Sequence, residues 1–204
     1  MTVITLDSIG CLYLHGFLSS PQSLKAQETL AYFRQQGLEA SLRLPELHFA
    51  PAEAIAQAAD QLQQLQQRHE HVFVIGSSLG GFYATWLAQN YQIPAILVNP
   101  AVRPHQLFRH YLGPHQHYHS GETFEVTESY LQQLVALEVT EIAYPEDMLL
   151  LLQTADETLD YRYAADLYRA CPGWNQAGGS HGFDSYQQFL PRIMAFVSHR
   201  FRLR

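Results

Sequence analysis

The chain has 204 residues, enough for one domain with a sizeable apolar core and too few for two of ordinary size. Hydrophobic residues make up 47% and charged residues 15%, a globular balance that excludes a disordered chain. The formal net charge is −7, and no lysine or arginine stripe offsets it, which argues against a nucleic-acid partner.

The opening "MTVITLDSIG" lacks a basic region and carries Asp7, so it does not read as a signal peptide. No apolar run reaches the ~18 residues of a membrane span, and the expected location is the cytoplasm. "CLYLHG" (Cys11 to Gly16) reads as a strand covered on both faces, with Cys11 as a small buried hydrophobe. Cys171 is the other cysteine, and neither lies in a CxxC arrangement. "SLKAQETLAYFRQQG" predicts a helix that starts at a Ser23 cap and stops at Gly37. A second strand is expected at Leu38 to Leu44. The helix "PAEAIAQAADQLQQLQQRH" then starts at Pro51 and spaces Ile55, Ala59, Leu62 and Leu65 along one face.

Further strands are expected at "HVFVIG" (His71 to Gly76), "AILVNP" (Ala95 to Pro100), "MLLLLQT" (Met148 to Thr154) and, more weakly, "GWNQAGG" (Gly173 to Gly179). Helices are expected at Leu79 to Asn90, Leu159 to Arg169 and Ser185 to Phe201. This alternation predicts an α/β fold with a mostly parallel sheet of six or seven strands and helices on both faces. Residues 101–146 break the rhythm. A stretch that long exceeds an ordinary connection, so the chain reads as one domain, 1–204, with a lid-like insertion there. "VTESYLQQLVALEV" supplies one helix within it.

Gly76-Ser77-Ser78-Leu79-Gly80 matches G-x-S-x-G directly between a strand and a helix, the setting of a nucleophile elbow. Side chains at Gly76 and Gly80 would collide across so sharp a turn, which explains the glycines. Ser78 then stands at a helix N-terminus, where N–H groups and the helix dipole favour developing negative charge. The bland alternative is a tight structural turn.

A serine hydroxyl needs a base. His181, in "AGGSHGF", follows the last strand and precedes the last helix, with glycines that leave room for close approach. The third member is a carboxylate off the end of the preceding strand. Asp156 comes first in "LLLLQTADETLDY", with Glu157 and Asp160 as rivals, although Asp160 suits a helix cap. The order Ser78, Asp156, His181 is that of α/β-hydrolases. The backbone N–H groups of Phe17, in "YLHGFLSS", and of Leu79 are placed to receive an oxyanion, while His15 reads as a loop brace.

In the insertion, Phe108, Tyr111, Leu112, Tyr118 and Phe124 suggest an apolar acyl pocket or its packing. Arg103 and Arg109 are candidates for an anionic substrate group, with solvated charge as the alternative. "HQHYH" (His115 to His119) resembles a zinc site only superficially, having no nearby cysteine and no placed carboxylate, so no metal is expected.

The motifs "YLHGFLSSPQSLKA", "GSSLGGFYA", "LVNPAVRP", "LLLQTADETLDY" and "GGSHGF" span nearly the whole chain. On them the protein resembles the α/β-hydrolase superfamily, and within it the small bacterial YqiA-like esterases. The resemblance implies a compact hydrolase sheet and esterase or thioesterase activity on acyl substrates, without a metal; the expected substrate is a small-molecule acyl ester or thioester, and no cofactor is expected. It also supports the roles given to Ser78, Asp156 and His181. Ala155 stands where that family more often has glycine before the aspartate, which tightens the turn. A non-catalytic binding protein, or acyl transfer, peptide or carbon–carbon cleavage on the same triad, are the competing readings.

Overall fold

The structure is a computed structural model and describes residues 8–116 and 121–202. In chain order the main elements are β1 (Ile9–Leu14), α1 (Leu24–Gln35), β2 (Leu42–Arg43), α2 (Pro51–Gln66), β3 (His71–Ser77), α3 (Leu79–Tyr91) and β4 (Ala95–Val98). Then follow α4 (Pro104–Phe108), β5 (Gly113–Gln116), β6 (Thr123–Val126), α5 (Glu128–Ala136), β7 (Met148–Gln153), α6 (Tyr161–Leu167), β8 (Gly173–Gln176) and α7 (Leu190–Arg200).

Six strands form one sheet in the order β2-β1-β3-β4-β7-β8, and every neighbouring pair is parallel. All six residues of β1 and of β7 are buried, as expected of unbroken apolar runs covered on both faces. The two-residue periodicity of a strand divides their side chains between two cores. Leu12, Leu14, Val72, Val74 and Leu150 join α2, α3 and the insertion on one face. Cys11, Tyr13, Phe73, Ile75 and Leu151 join α1 and α7 on the other.

Several boundaries differ from the sequence expectation. The stretch Leu38 to Leu44 contains a 3₁₀ turn (Glu39–Ser41), and only Leu42 and Arg43 pair with β1. Ser23 occupies the N-cap position of α1 but makes no side-chain cap bond. The buried face of α2 carries Ala58 beside the expected Ile55, Leu62 and Leu65, while the expected Ala59 is partly buried and packs against the same core. The last helix begins as a 3₁₀ turn, Tyr186–Phe189, and becomes α-helical at Leu190. Asp160 does cap a helix: its carboxylate accepts from Arg162 N at the start of α6.

The insertion holds more than the one expected helix. Besides α5 it contains the short α4 and an antiparallel hairpin of β5 and β6, in which Gly113 pairs with Val126 and His115 with Phe124. In β6, Phe124 and Val126 are buried while Thr123 and Glu125 are exposed, the alternation of a strand with one covered face. Gly113-Pro114 hid the first strand, because both residues ordinarily mark turns.

From β1 the chain moves outward to β2, then returns past β1 to β3 and proceeds to β4. The order therefore reverses between β1 and β3. A parallel sheet opens a crevice beyond the carboxyl ends of its strands at such a point. Gly16 follows β1 and Ser78 follows β3, so both candidate motifs arrive there.

Candidate active site

The turn after β3 is built for one residue. Ser78 has φ 56° and ψ −122°, a backbone conformation that a side-chain-bearing residue adopts only under strain. The surrounding backbone holds it: Ser78 N donates to Val98 O at 3.1 Å, and Ser78 O accepts from Ala101 N at 3.0 Å. A Cβ at Gly76 would lie 2.2 Å from Gly80 O, and one at Gly80 would lie 2.1 Å from Leu14 O. Both glycines are thus required for β3, α3 and the end of β1 to approach this closely.

His181 lies in the loop between β8 and α7. Its Nε2 is 3.1 Å from Ser78 Oγ, and its Nδ1 is 2.8 Å from Asp156 Oδ2. The structure therefore brings Ser78, His181 and Asp156 into one hydrogen-bonded chain. The side chain of Asp156 is 2% exposed. Its other oxygen, Oδ1, accepts from the N–H groups of Thr158 and Leu159 at 2.9 and 2.8 Å, so the carboxylate is fixed at both ends. Glu157 instead accepts from the His181 backbone N–H at 3.0 Å, and that bond holds its carboxyl below the ordinary value.

Two residues that the sequence did not single out hold the His181 loop. Asn99, at the end of β4, donates Nδ2 to Ser180 O and His181 O, and its Oδ1 accepts from Gln153 N. Gln153 is fully buried at the end of β7, and its Oε1 accepts from Ser180 N and Asp184 N while Nε2 donates to Asp184 O. Asn99 was visible in "LVNPAVRP" only as part of a family pattern, and Gln153 carried no local signal at all.

The loop after β1 lies against the elbow: a Cβ on Gly16 would sit 3.1 Å from Ser78 Cβ. Leu79 is the first residue of α3, so its N–H has no acceptor within the helix. His15 is buried, and its Nε2 accepts from Leu47 N at 3.1 Å, which leaves Nδ1 to donate to Gly16 O at 2.9 Å. The brace expected of His15 is what the structure contains.

Two cavities flank Gly16 and Phe17. The larger, about 200 Å³, is lined by Leu79, Phe49, Tyr83, Phe124 and Tyr130, with Glu46 and Glu122 also on its wall. Burial raises the phenols of Tyr83 and Tyr130, which therefore stay protonated. The smaller, about 140 Å³, is lined by Ser78, His181, Ser19, Ser23 and Lys25.

Phe108 packs edge-on against Phe17 at 4.6 Å and stacks on Tyr130 at 5.3 Å, and Tyr111 meets Phe17 at 6.1 Å. Phe108 and Tyr111 thus support the wall, whereas Phe124 lines it. Leu112 is exposed. Arg103 pairs with Glu138 at 3.5 Å and lines neither cavity beside Ser78, and Arg109 lies on a separate surface depression with His105 and Glu128. Tyr118, His117 and His119 lie outside the described residues. His115 bonds Tyr111 O at 2.6 Å, and among the described residues no cluster of three metal-ligating side chains occurs.

A parallel sheet wrapped on both faces, with a strained serine at its switch point, defines the α/β-hydrolase fold. The chain belongs to the uncharacterised protein family UPF0227, whose model matches residues 10–198, and this is the YqiA-like family that its motifs resemble.

Solved structures of the same fold are widespread. The α/β-hydrolase domain-containing protein 10 from mouse is 15% identical, with a TM-score of 0.73 over 98% of this chain and 92% of that one. A metagenome-derived protein from the work on the lipolytic enzymes LipS and LipT is 20% identical, with a TM-score of 0.69 over 94% of each chain. Est1E from Butyrivibrio proteoclasticus, solved with ferulic acid bound, is 12% identical, with a TM-score of 0.66 over 95% and 88%.

Proposed function

We propose that the protein is a serine hydrolase of carboxylic esters or thioesters. The observation that carries this reading is the continuous chain Asp156–His181–Ser78, with contacts of 2.8 and 3.1 Å, ending on a serine held at φ 56°. His181 Nε2 accepts the proton of Ser78 Oγ as that oxygen attacks the substrate carbonyl. Asp156 keeps the imidazole proton on Nδ1 and stabilises the imidazolium that forms. The N–H groups of Phe17 and Leu79 receive the oxyanion. His181 then protonates the leaving group, and the acyl-enzyme is released by water through the same steps in reverse order.

The aromatic cavity beside Phe17 and Leu79 suits the acyl group, and residues 101–146, which supply Phe124 and Tyr130 to its wall, act as the lid of a single catalytic domain. Cys11 and Cys171 are both free thiols, which suits a reducing, cytoplasmic setting. Among the described residues no helix is long and apolar enough to cross a membrane.

The test is Ser78→Ala. It is expected to lower kcat for a p-nitrophenyl ester by several orders of magnitude and to abolish labelling by a fluorophosphonate probe, with the circular-dichroism spectrum retained. Near-wild-type turnover by the variant would refute the assignment. A screen of acyl length across oxygen esters and acyl thioesters then separates the two substrate types.

A further inference from the structure

The smaller cavity contains a cation that the chemistry above does not use. Lys25, the second residue of α1, lines it together with Ser78 and His181. Its Nζ donates to Gly182 O at 2.8 Å, next in sequence to His181. An ammonium has three N–H donors, and this is one bond.

Among the described residues no carboxylate lies within ion-pair distance of Lys25. Asp156 acts on it only through space, since its oxygens are committed to His181, Thr158 and Leu159. Glu28, one turn along α1, also acts at a distance, and burial raises its carboxyl. Burial likewise draws the Lys25 ammonium below its ordinary value. Lys25 is only partly buried and its bond to Gly182 O is exposed, so the ammonium stands at the cavity wall with no carboxylate in contact. Ser19 and Ser23 share that wall with it.

The position of Lys25 indicates which part of a substrate it would meet. The two cavities share Gly16 and Phe17 in their walls; one is aromatic, and the other is the one that Ser78, His181 and Lys25 line together. His181 must deliver its proton to the leaving oxygen or sulfur, so the leaving group occupies the His181 side. Lys25 is bonded to the residue after His181 and lies on that side.

We propose that Lys25 is a specificity-determining residue that binds an anionic group, a carboxylate or a phosphate, carried on the leaving alcohol or thiol a few atoms from the scissile bond. The substrate is then an ester or thioester of an apolar acid with an acidic alcohol or thiol. This deepens the serine-hydrolase reading and rests on it.

The experiment compares butyryloxyacetate with butyryloxyacetamide, which differ in charge and hardly in shape, and 2-(butyryloxy)ethyl phosphate with 2-hydroxyethyl butyrate. Hydrolysis is followed by product analysis in the wild type, Lys25→Met and Lys25→Arg, with fluorophosphonate labelling of Ser78 measured in parallel. The wild type is expected to prefer at least one anionic member over its neutral partner. In Lys25→Met that ratio of kcat/KM should fall by about 10- to 100-fold, the effect of losing one charged hydrogen bond, and Lys25→Arg should restore part of it. The pair that responds distinguishes carboxylate from phosphate.

Labelled wild-type enzyme with no preference for either anion would overturn the proposal alone. A loss in Lys25→Met that is equal for charged and neutral substrates would also overturn it, because Lys25 would then only tether the His181 loop. Absence of both labelling and hydrolysis in the wild type would defeat the serine-hydrolase reading, and this proposal with it.

Discussion

The side-chain amide of Asn99 donates to the backbone carbonyls of Ser180 at 3.0 Å and His181 at 3.3 Å, while its oxygen accepts from Gln153 N at 2.9 Å. One buried side chain therefore fixes the loop that carries His181 against the end of the strand that precedes Asp156. In the proposed mechanism His181 is the general base, and a misplacement of about 1 Å there costs about 10²-fold in rate, so on that reading this contact bears on function as well as on stability.

Asn99→Asp keeps the acceptor for Gln153 N but replaces the donor with an oxygen facing two carbonyls. The expected result is a fall in kcat of about 10- to 100-fold with a much smaller change in KM, because the base is moved and the substrate cavities are not. Slower fluorophosphonate labelling of Ser78 should accompany it. A variant that loses stability but labels at the wild-type rate would show Asn99 to be a packing residue only.

Sequence and structure agree best where one physical pattern decides the outcome. The unbroken apolar runs of β1 and β7, and G-x-S-x-G between a strand and a helix, are local signals, and each forms the expected element. The chain of Ser78, His181 and Asp156 was legible because chain order after known strands limits the choice to a few residues. Asn99, Gln153 and Lys25 were not legible. A single amide at a strand end has no periodicity, and Lys25 reads as an ordinary charged residue in the first turn of an amphipathic helix. Their partners, in the loop Ser180 to Asp184, are 27 to 157 residues away in sequence. Only the assembled sheet brings those partners together.

The two adjacent acids after β7 should separate cleanly. Asp156 meets the imidazole, whereas Glu157 meets the backbone N–H of the same histidine. Asp156→Asn offers an amide where Nδ1–H needs an acceptor and favours the wrong tautomer, with an expected fall in kcat of about 10⁴-fold. Glu157→Gln retains an acceptor for His181 N and should cost less than about tenfold. Initial rates of p-nitrophenyl butyrate hydrolysis decide the matter, and a larger loss in Glu157→Gln would reverse the two assignments.

Burial pushes the Cys171 thiol up to about 11, with Glu146 adding to the effect, and burial raises Cys11 as well. A thiol reacts as the thiolate, so a raised value means less nucleophile at every pH below it. Alkylation of native Cys171 by iodoacetamide should therefore rise about tenfold per pH unit between pH 8 and pH 10. Below pH 8 it should run about 10- to 30-fold slower than a free thiol of ordinary pKa near 8.5, because the smaller thiolate fraction outweighs the greater nucleophilicity of the more basic thiolate. Cys11, fully buried, should stay unmodified until the protein unfolds. Mass spectrometry of timed samples measures both, and rapid modification of Cys171 at pH 7.5 would contradict its burial.

The strain at Ser78 makes a prediction in the opposite direction from most active-site changes. At φ 56° and ψ −122° a Cβ is unfavourable, at a cost on the order of 1–3 kcal/mol, and the neighbouring glycines and Pro100 leave the turn no room to relax. Ser78→Gly removes the Cβ and the nucleophile together. It gives back part of the gain, because glycine loses more chain entropy on folding. The net expectation is a stabilisation of about 1 kcal/mol, which for a chain of this size raises Tm by about 2–4 °C, with esterase activity abolished. Ser78→Ala keeps the Cβ and should leave Tm close to that of the wild type. Calorimetry on the three proteins tests the claim. A Ser78→Gly protein no more stable than Ser78→Ala would mean that the turn carries little strain and that its geometry has some other cause.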